Sequence, residues 1–367
     1  MRIERIELRR YSFPLEPPFH AAWDPVPRAS VETTLVLVRT DEGLVGIGSG
    51  DTMDGFERWE HLFLGRDPRD LERHVRVLET IAFHAGRYWP LEAALWDVVG
   101  KARGRPVAEL LGGEATSVRV YASTGEAVEA GERVERSLAA RAAGFPALKL
   151  RVDRGRLAEG LESVRAVVEA VGRETAVMVD LNQGWRMPGD VSAPLGREAV
   201  REVAEELGAL GVLWLEEPLP ADDVEGLRTL RRSIRVAGGE MARTPSELVR
   251  YLEADALDVL QPDAVLAVGM LRGAEVARAA TERGRWFTPH TWTNGVGLLA
   301  NVHLAAAVGA GPFLEFPYDP PGWTPERRDW MLAEPVTPGA DGTIAVSDRP
   351  GLGIVLDDER LEAHRVG

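Results

Sequence analysis

Apolar and polar positions recur with two different periods along the chain, and the change of period divides it. Near the N-terminus, RIERIELRRYSF and VETTLVLVRTDEGLVGIGSGD alternate roughly every second residue, the period of a half-buried strand. The second stretch breaks at Asp41-Glu42-Gly43 and resumes, which predicts a hairpin. From about Asp67 to Leu111 the period lengthens to that of a helix, in DLERHVRVLETI and LEAALWDVVGKARG, and Gly112-Gly113 closes the segment. An antiparallel sheet followed by helices is an α+β module.

Beyond Val118 short apolar runs alternate with helical stretches. VRVYAS, ALKLRV, AVMVDLN, VLWLEEP, IRVAGGE, LDVLQPD, RWFTPH and PFLEF read as strands, separated by stretches such as RLAEGLESVRAVVEAVG and GMLRGAEVARAATERG. Eight such units predict an α/β fold: a (β/α)8-type barrel with an N-terminal α+β capping domain, its chemistry at the C-terminal ends of the strands. A doubly wound open sheet is the alternative, but no Gly-x-Gly-x-x-Gly follows the first strand. The expected cap spans 1–115 and the barrel 116–329. A Pro- and Trp-rich tail, from about 330 to 367, is expected to run back to the cap and cover the barrel mouth with it.

Polar residues sit at the ends of several of these runs. Asp180 and Asn182 close VMVDLN, Glu216 closes VLWLE and Glu240 closes IRVAGGE. Each acid alone fits a helix cap or a solvated turn. Three of them at the pace of a strand–helix repeat converge on one barrel face, where hard oxygen donors suit Mg²⁺. Without a cation such a cluster repels itself.

Composition narrows the partners. The chain has 367 residues, with 43 Lys and Arg against 58 Asp and Glu, a formal net charge of −15. That balance disfavours nucleic acid and anionic membranes, but a local cation still lets a pocket accept a small carboxylate. There is no cysteine, hence no disulfide, thiolate ligand or thiol nucleophile. MRIERIELRRY lacks a long apolar stretch and no later run approaches a membrane span. A cytoplasmic protein is expected, assembling as a homo-oligomer.

At this point the motifs resemble a known family. LVLVRTDEGLVGIG and ALWDVVGKARGRPVAELLGG are similar to the capping domain of the enolase superfamily, in particular its mandelate racemase-like subgroup. LKLR, VDLNQGW, LEEP, GGE, QPD, PHTW and LEF resemble that subgroup's successive strand ends, and PGLGIVLD its C-terminal segment. The resemblance implies Mg²⁺ held by Asp180, Glu216 and Glu240. It also implies a base, His290, paired with Asp263 on the preceding strand. By the same match Ser123 and Glu315 hydrogen-bond the substrate carboxylate, Glu315 as a protonated acid held neutral by burial or nearby charge. Lys149 matches a carboxylate-contacting position, while Asn182, His20 and Trp23 are candidate substrate contacts. His303, inside LLANVHLAAA, reads as a packed helix residue.

One departure from the family bears on the reaction. The second-strand pattern is often Lys-x-Lys; here it is Lys149-Leu150-Arg151. Residues two apart on a strand share a face, so both cations point into the barrel, and Arg151 is expected to depress Lys149. Arginine is almost never a proton acceptor. Racemisation wants a base on each face of the reacting carbon, whereas dehydration needs one base and an acid for the departing hydroxide. With His290 the evident base, the expected activity is that of a lyase: dehydration of a sugar acid, an aldonate or aldarate, to a 2-keto-3-deoxy acid. Competing readings are a racemase or epimerase using Lys149 or Arg151, a hydrolase on a metal barrel, and a noncatalytic binding protein if the groups fail to converge.

Overall fold

The computed structural model describes residues 1–50, 53–309 and 311–366. The N-terminal module is the expected α+β unit. β1 (Ile3–Phe19), β2 (Arg28–Thr40) and β3 (Val45–Ser49) form an antiparallel meander, followed by α1 (Leu71–His84), α2 (Trp89–Arg103) and the short α3 (Val107–Leu110). The hairpin turn falls between β2 and β3 as read from the sequence. One face of β2 contributes Val36 and Val38 to a core with α1 and α2, while Leu35 on the other face joins the barrel core. The glycines of VGIG are required by this packing. A Cβ on Gly46 would lie 2.0 Å from the carbonyl oxygen of Ala94, and one on Gly48 2.1 Å from that of Pro90, so β3 rests directly on the backbone of α2.

The barrel follows. Its strands are β4 (Ser117–Ser123), β5 (Ala147–Arg151), β6 (Ala176–Asp180), β7 (Leu215–Glu216), β8 (Val236–Gly238), β9 (Val259–Leu260), β10 (Trp286–Phe287) and β11 (Leu314–Pro317). They pair in parallel in sequence order, and β11 returns beside β4 with Glu315 opposite Tyr121. Between them run α4 (Ala130–Ala142), α5 (Leu157–Val171), α6 (Arg197–Ala209), α7 (Val224–Leu230), α8 (Pro245–Glu253), α9 (Gly269–Glu282) and α10 (Gly295–Val308). All eight expected strands are present, although several ladders are only two residues long. No strand ladder joins β10 to β11 among the described residues. There the side chain of Glu315 and the hydroxyl of Thr291 bridge the seam, Thr291 N–H donating to Glu315 Oε2 at 2.9 Å and Thr291 Oγ1 to the Glu315 carbonyl at 2.8 Å.

The tail touches both units. β12 (Thr343–Ala345) pairs antiparallel with β4, and β13 (Arg365–Val366) with β1. Asp97 on α2, fully buried, accepts N–H groups from Ile47 of β3 and from Leu352 of the tail, each at 2.8 Å, and pairs with Lys101 at 2.7 Å. Glu92 on the same helix accepts the backbone N–H groups of Met270 and Leu271 at the start of α9. Asn294, the N-cap of α10, donates to Ser49 Oγ at 2.8 Å.

His303 is a further tie between the cap and the barrel. It lies buried on α10, where its Nδ1 accepts the N–H of Ala108 in α3 at 3.1 Å, so its proton sits on Nε2. Burial lowers its pKa from 6.5 to about 4. A histidine kept neutral in the fold stabilises fully above the unfolded value of 6.5. That contribution is lost as pH falls from 6.5 toward 4, because the unfolded chain takes up the proton first; the total is about 3 kcal/mol. Urea unfolding at pH 7.5 and 4.5 should therefore show a larger acid loss in the parent than in His303→Gln, which keeps an acceptor and cannot titrate. Equal losses would remove His303 from the acid response.

Candidate active site

The strand ends carry the polar residues to one point. Asp180 ends β6, Glu216 ends β7 and Glu240 follows β8 by two residues. Each offers a carboxylate oxygen, all within 4.8 Å of one another, and all three residues are buried. Two kinks follow the first two ligand positions. Asn182 and Glu217, just beyond their strands, have φ of 46° and 44°, in the left-handed region that costs most residues energy. Gly184 then passes so close to Glu217 that a Cβ would lie 2.3 Å from its Oε1.

The donors around the triad are fixed by buried partners. Glu216 accepts from Trp214 Nε1 at 3.1 Å and Gln261 Nε2 at 2.7 Å. Asp180 accepts the backbone N–H of Asn182 at 2.7 Å. Glu240 accepts from Trp185 Nε1 through one oxygen, while its buried Oε2 has no hydrogen-bond partner. The permanent cations Lys149 and Arg151 are buried against Asp180, Glu216 and Glu315, while Glu240 and Asp263 are buried beside His290. The excess of negative charge, the orphaned Glu240 oxygen and the all-oxygen donor set fit a divalent metal ion. The triad is suited to one.

Lys149 is wholly buried, in contact with Glu216, 2.7 Å from Glu315 and 3.4 Å from Asp180. Burial and Arg151 push its pKa down as the sequence suggested, but Glu216, Glu315 and Asp180 outweigh them and the net direction is up. It stays charged. Arg151 is equally fixed: it pairs with Asp180, donates to Asn182 Oδ1 and the Thr124 carbonyl at 3.0 Å each, and lies 4.6 and 5.7 Å from the ring centroids of Trp23 and Trp292.

On the other side stands His290. Its Nδ1 lies 3.0 Å from Asp263 Oδ2, and Asp263 is held in turn by Val265 N–H and Asn301 Nδ2 at 2.8 and 3.1 Å. In the neutral ring the proton sits on Nδ1, facing Asp263, and Nε2 is the nitrogen that gains and loses a proton. Nε2 lies 3.8 Å from Glu240 Oε2 and 4.0 Å from Glu315 Oε2. Burial pushes the ring's pKa down, but Glu240, Glu315 and Asp263 outweigh it and raise it to about 9.

Two expectations need correcting. Glu315 is not held neutral by its neighbours: burial pushes its pKa up, but Lys149, His290 and Arg151 outweigh that and hold it well below the carboxylate range. Ser123, expected to face substrate, spends its hydroxyl inside the protein, donating to Glu315 Oε1 at 2.7 Å and accepting from Trp292 Nε1 at 2.8 Å. His290, Arg151, Asn182, Glu240 and Trp23 line one cavity of about 390 Å³ between cap and barrel. His20 is exposed beyond the end of β1 and outside that lining. Three lining tryptophans, Trp185, Trp292 and Trp323, were not singled out from the sequence. NQGW and PHTW did place the first two beside site residues, but a tryptophan next to a strand end reads equally well as core.

Comparison with known proteins agrees with this geometry. Residues 5–112 match the mandelate racemase / muconate lactonizing enzyme N-terminal domain, and residues 132–360 the enolase C-terminal domain-like family. The chain is 28% identical to D-galactarolactone cycloisomerase of Agrobacterium fabrum, over 100% of this chain and 99% of that one. It is also 28% identical to L-talarate/galactarate dehydratase of Salmonella typhimurium, over 98% and 90%. A solved mutant of L-talarate/galactarate dehydratase, liganded with Mg and L-glucarate, superposes with a TM-score of 0.83 at 27% identity, covering 100% of this chain and 92% of that one. Racemases and epimerases match at comparable identity. The protein is an enzyme of the enolase superfamily, in its mandelate racemase-like branch.

Proposed function

We propose that this enzyme is a Mg²⁺-dependent dehydratase that converts a sugar acid to a 2-keto-3-deoxy acid. The observation that carries this reading is the asymmetry of the site. One side presents His290, a group that can gain and lose a proton at Nε2, and the other presents a guanidinium that is always charged and held by Asp180 and Asn182 beside two indole rings. One competent base suits elimination. Dehydratase relatives support the same class, and the racemases among the relatives make inversion the outcome to test against.

A divalent cation on Asp180, Glu216 and Glu240 would supply charge for the substrate carboxylate and the enediolate derived from it, and would offset the Glu240 charge that raises His290. The residues do the rest. Asp263 holds the His290 ring in one tautomer, so Nε2 faces the cavity and takes the α-proton. Lys149 and Arg151 remain cationic and stabilise negative charge at the carboxylate end. The proton on Nε2 then leaves with the β-hydroxide as water, from the same face, and the resulting enol tautomerises to the 2-keto acid. Glu315, ionised between Lys149 and His290, fixes those two groups.

Arg151→Lys tests the asymmetry. The parent should form 2-keto acid in D₂O without inverting C2 of recovered substrate. The lysine variant should dehydrate at least about tenfold more slowly, since one ammonium cannot reproduce the guanidinium's separate contacts with Asp180, Asn182 and the Thr124 carbonyl, and any inversion should appear only there. Inversion in the parent as fast as elimination would establish a second base and overturn the proposal.

A further inference from the structure

Helix α10 is held by the cap at two points and holds the catalytic base at a third. Asn294 donates to Ser49 Oγ and His303 accepts the Ala108 N–H. Asn301, between them in sequence and fully buried, reaches Asp263. Its Nδ2 lies 3.1 Å from Asp263 Oδ1 and 3.2 Å from the Gly297 carbonyl one turn back, and its Oδ1 accepts the Ala264 N–H at 2.9 Å. The Ala264 N–H requires the amide oxygen on its own side, which turns the Asn301 amine toward Asp263.

That contact decides which oxygen Asp263 gives to His290. Asp263 is fully buried, and among the described residues no lysine or arginine pairs with it. Its Oδ1 takes two neutral donors, the Val265 N–H at 2.8 Å and Asn301 Nδ2, while Oδ2 faces His290 Nδ1 at 3.0 Å. The Val265 N–H lies two residues along the same loop and moves with the carboxylate. Asn301 comes from a separate element, 38 positions on, and restrains the carboxylate against rotation. A buried carboxylate that loses a donor seeks another, and turning about its Cβ–Cγ bond does so at the expense of His290.

We infer that Asn301 is a positioning residue for the base: it holds the Asp263 carboxylate so that Oδ2 stays on His290 Nδ1 and Nε2 stays aimed into the cavity. This rests on the dehydratase reading above, through His290 as the base.

The test compares Mg²⁺-loaded full chains, with the Mg²⁺ stoichiometry from calorimetry counting the folded sites in each. Asn301→Leu, of nearly the same shape, should lower kcat for keto acid formation about tenfold or more, with KM within about twofold. Exchange of the α-proton in D₂O should fall with it. Asn301→Ser, whose hydroxyl can still bond the Gly297 carbonyl, gives the same reading should the leucine variant not fold. His303→Gln controls for a disturbed α10: it alters the tie to α3 and not the one to Asp263, and kcat should stay within about twofold of the parent. The signature that a packing role would not move is the proton on His290 Nδ1, observed in ¹⁵N-histidine-labelled protein and identified by its loss in His290→Asn. Its resonance should shift or broaden in the Asn301 variants and hold its place in His303→Gln. Parental kcat in the Asn301 variants, a lower kcat with that resonance unmoved, or an equal loss of kcat in His303→Gln would overturn the inference. Failure of the dehydratase reading shows instead in the parent, as inversion of C2 without keto acid; the Asn301 variants should then slow that inversion, and parental inversion rates in them would overturn the inference as well.

Discussion

His290→Asn should lose dehydration by roughly 10²- to 10⁴-fold, the range expected when a positioned general base is removed. Asparagine keeps a side-chain amide that can still donate toward Asp263, so the buried carboxylate keeps a partner. The loss should fall on kcat, with little change in substrate KM, since Nε2 acts on the α-proton rather than in binding. In D₂O the variant should neither exchange the α-proton nor eliminate, while its Mg²⁺ affinity stays within a fewfold of the parent. Residual exchange near the parental rate would place the base elsewhere and return Lys149 to consideration. A merely structural histidine would behave differently, lowering stability and leaving the exchange-to-elimination ratio unchanged.

The second large effect belongs to the triad. Asp180→Asn should weaken Mg²⁺ binding by about 100-fold or more in calorimetric titration, because a direct ligand is worth at least what supporting partners are. Asp180 also receives Arg151 and the N–H of Asn182, so this variant perturbs the second strand as well. Glu240→Gln separates the two effects. Glu240 makes no ion pair with Lys149 or Arg151, and its Oε2 has no hydrogen-bond partner. Both variants should lose the metal and the activity together. Parental Mg²⁺ affinity in both would remove the metal assignment.

Much of this was legible before any coordinates. The turn residues Asp41-Glu42-Gly43 located the hairpin because they interrupt two strand-like stretches, although β2 is buried on both faces from Thr33 to Val38. Apolar runs recurring between helical stretches gave the barrel, since parallel strands buried on both faces are mostly apolar, with the exceptions Lys149 and Glu315 belonging to the site. The acids were visible because a carboxylate directly after such a run has nowhere to go but the strand's end. Glu217 was harder. Beside Glu216 and Pro218 it reads as a solvated loop acid, yet it is buried behind a left-handed kink, and backbone conformation at a single residue leaves no pattern. The short ladders of β7, β9 and β10 were likewise invisible, because hydrophobic runs mark burial rather than pairing.

The sequence by itself determined the barrel, the cap and the residues that could ligate a metal or take a proton, because periodicity and residue chemistry are local properties. It also removed a second flexible base, by placing arginine where a lysine is common. Only the tertiary structure decided how those charges are shared. Glu315 was expected to be neutral, but Lys149 at 2.7 Å, Arg151 and His290 hold it ionised. Ser123 was expected to face substrate, but Trp292 and Glu315 occupy its hydroxyl. Charge states and free hydrogen-bonding atoms depend on what lies within a few ångströms across the fold, and no spacing along one chain encodes that directly.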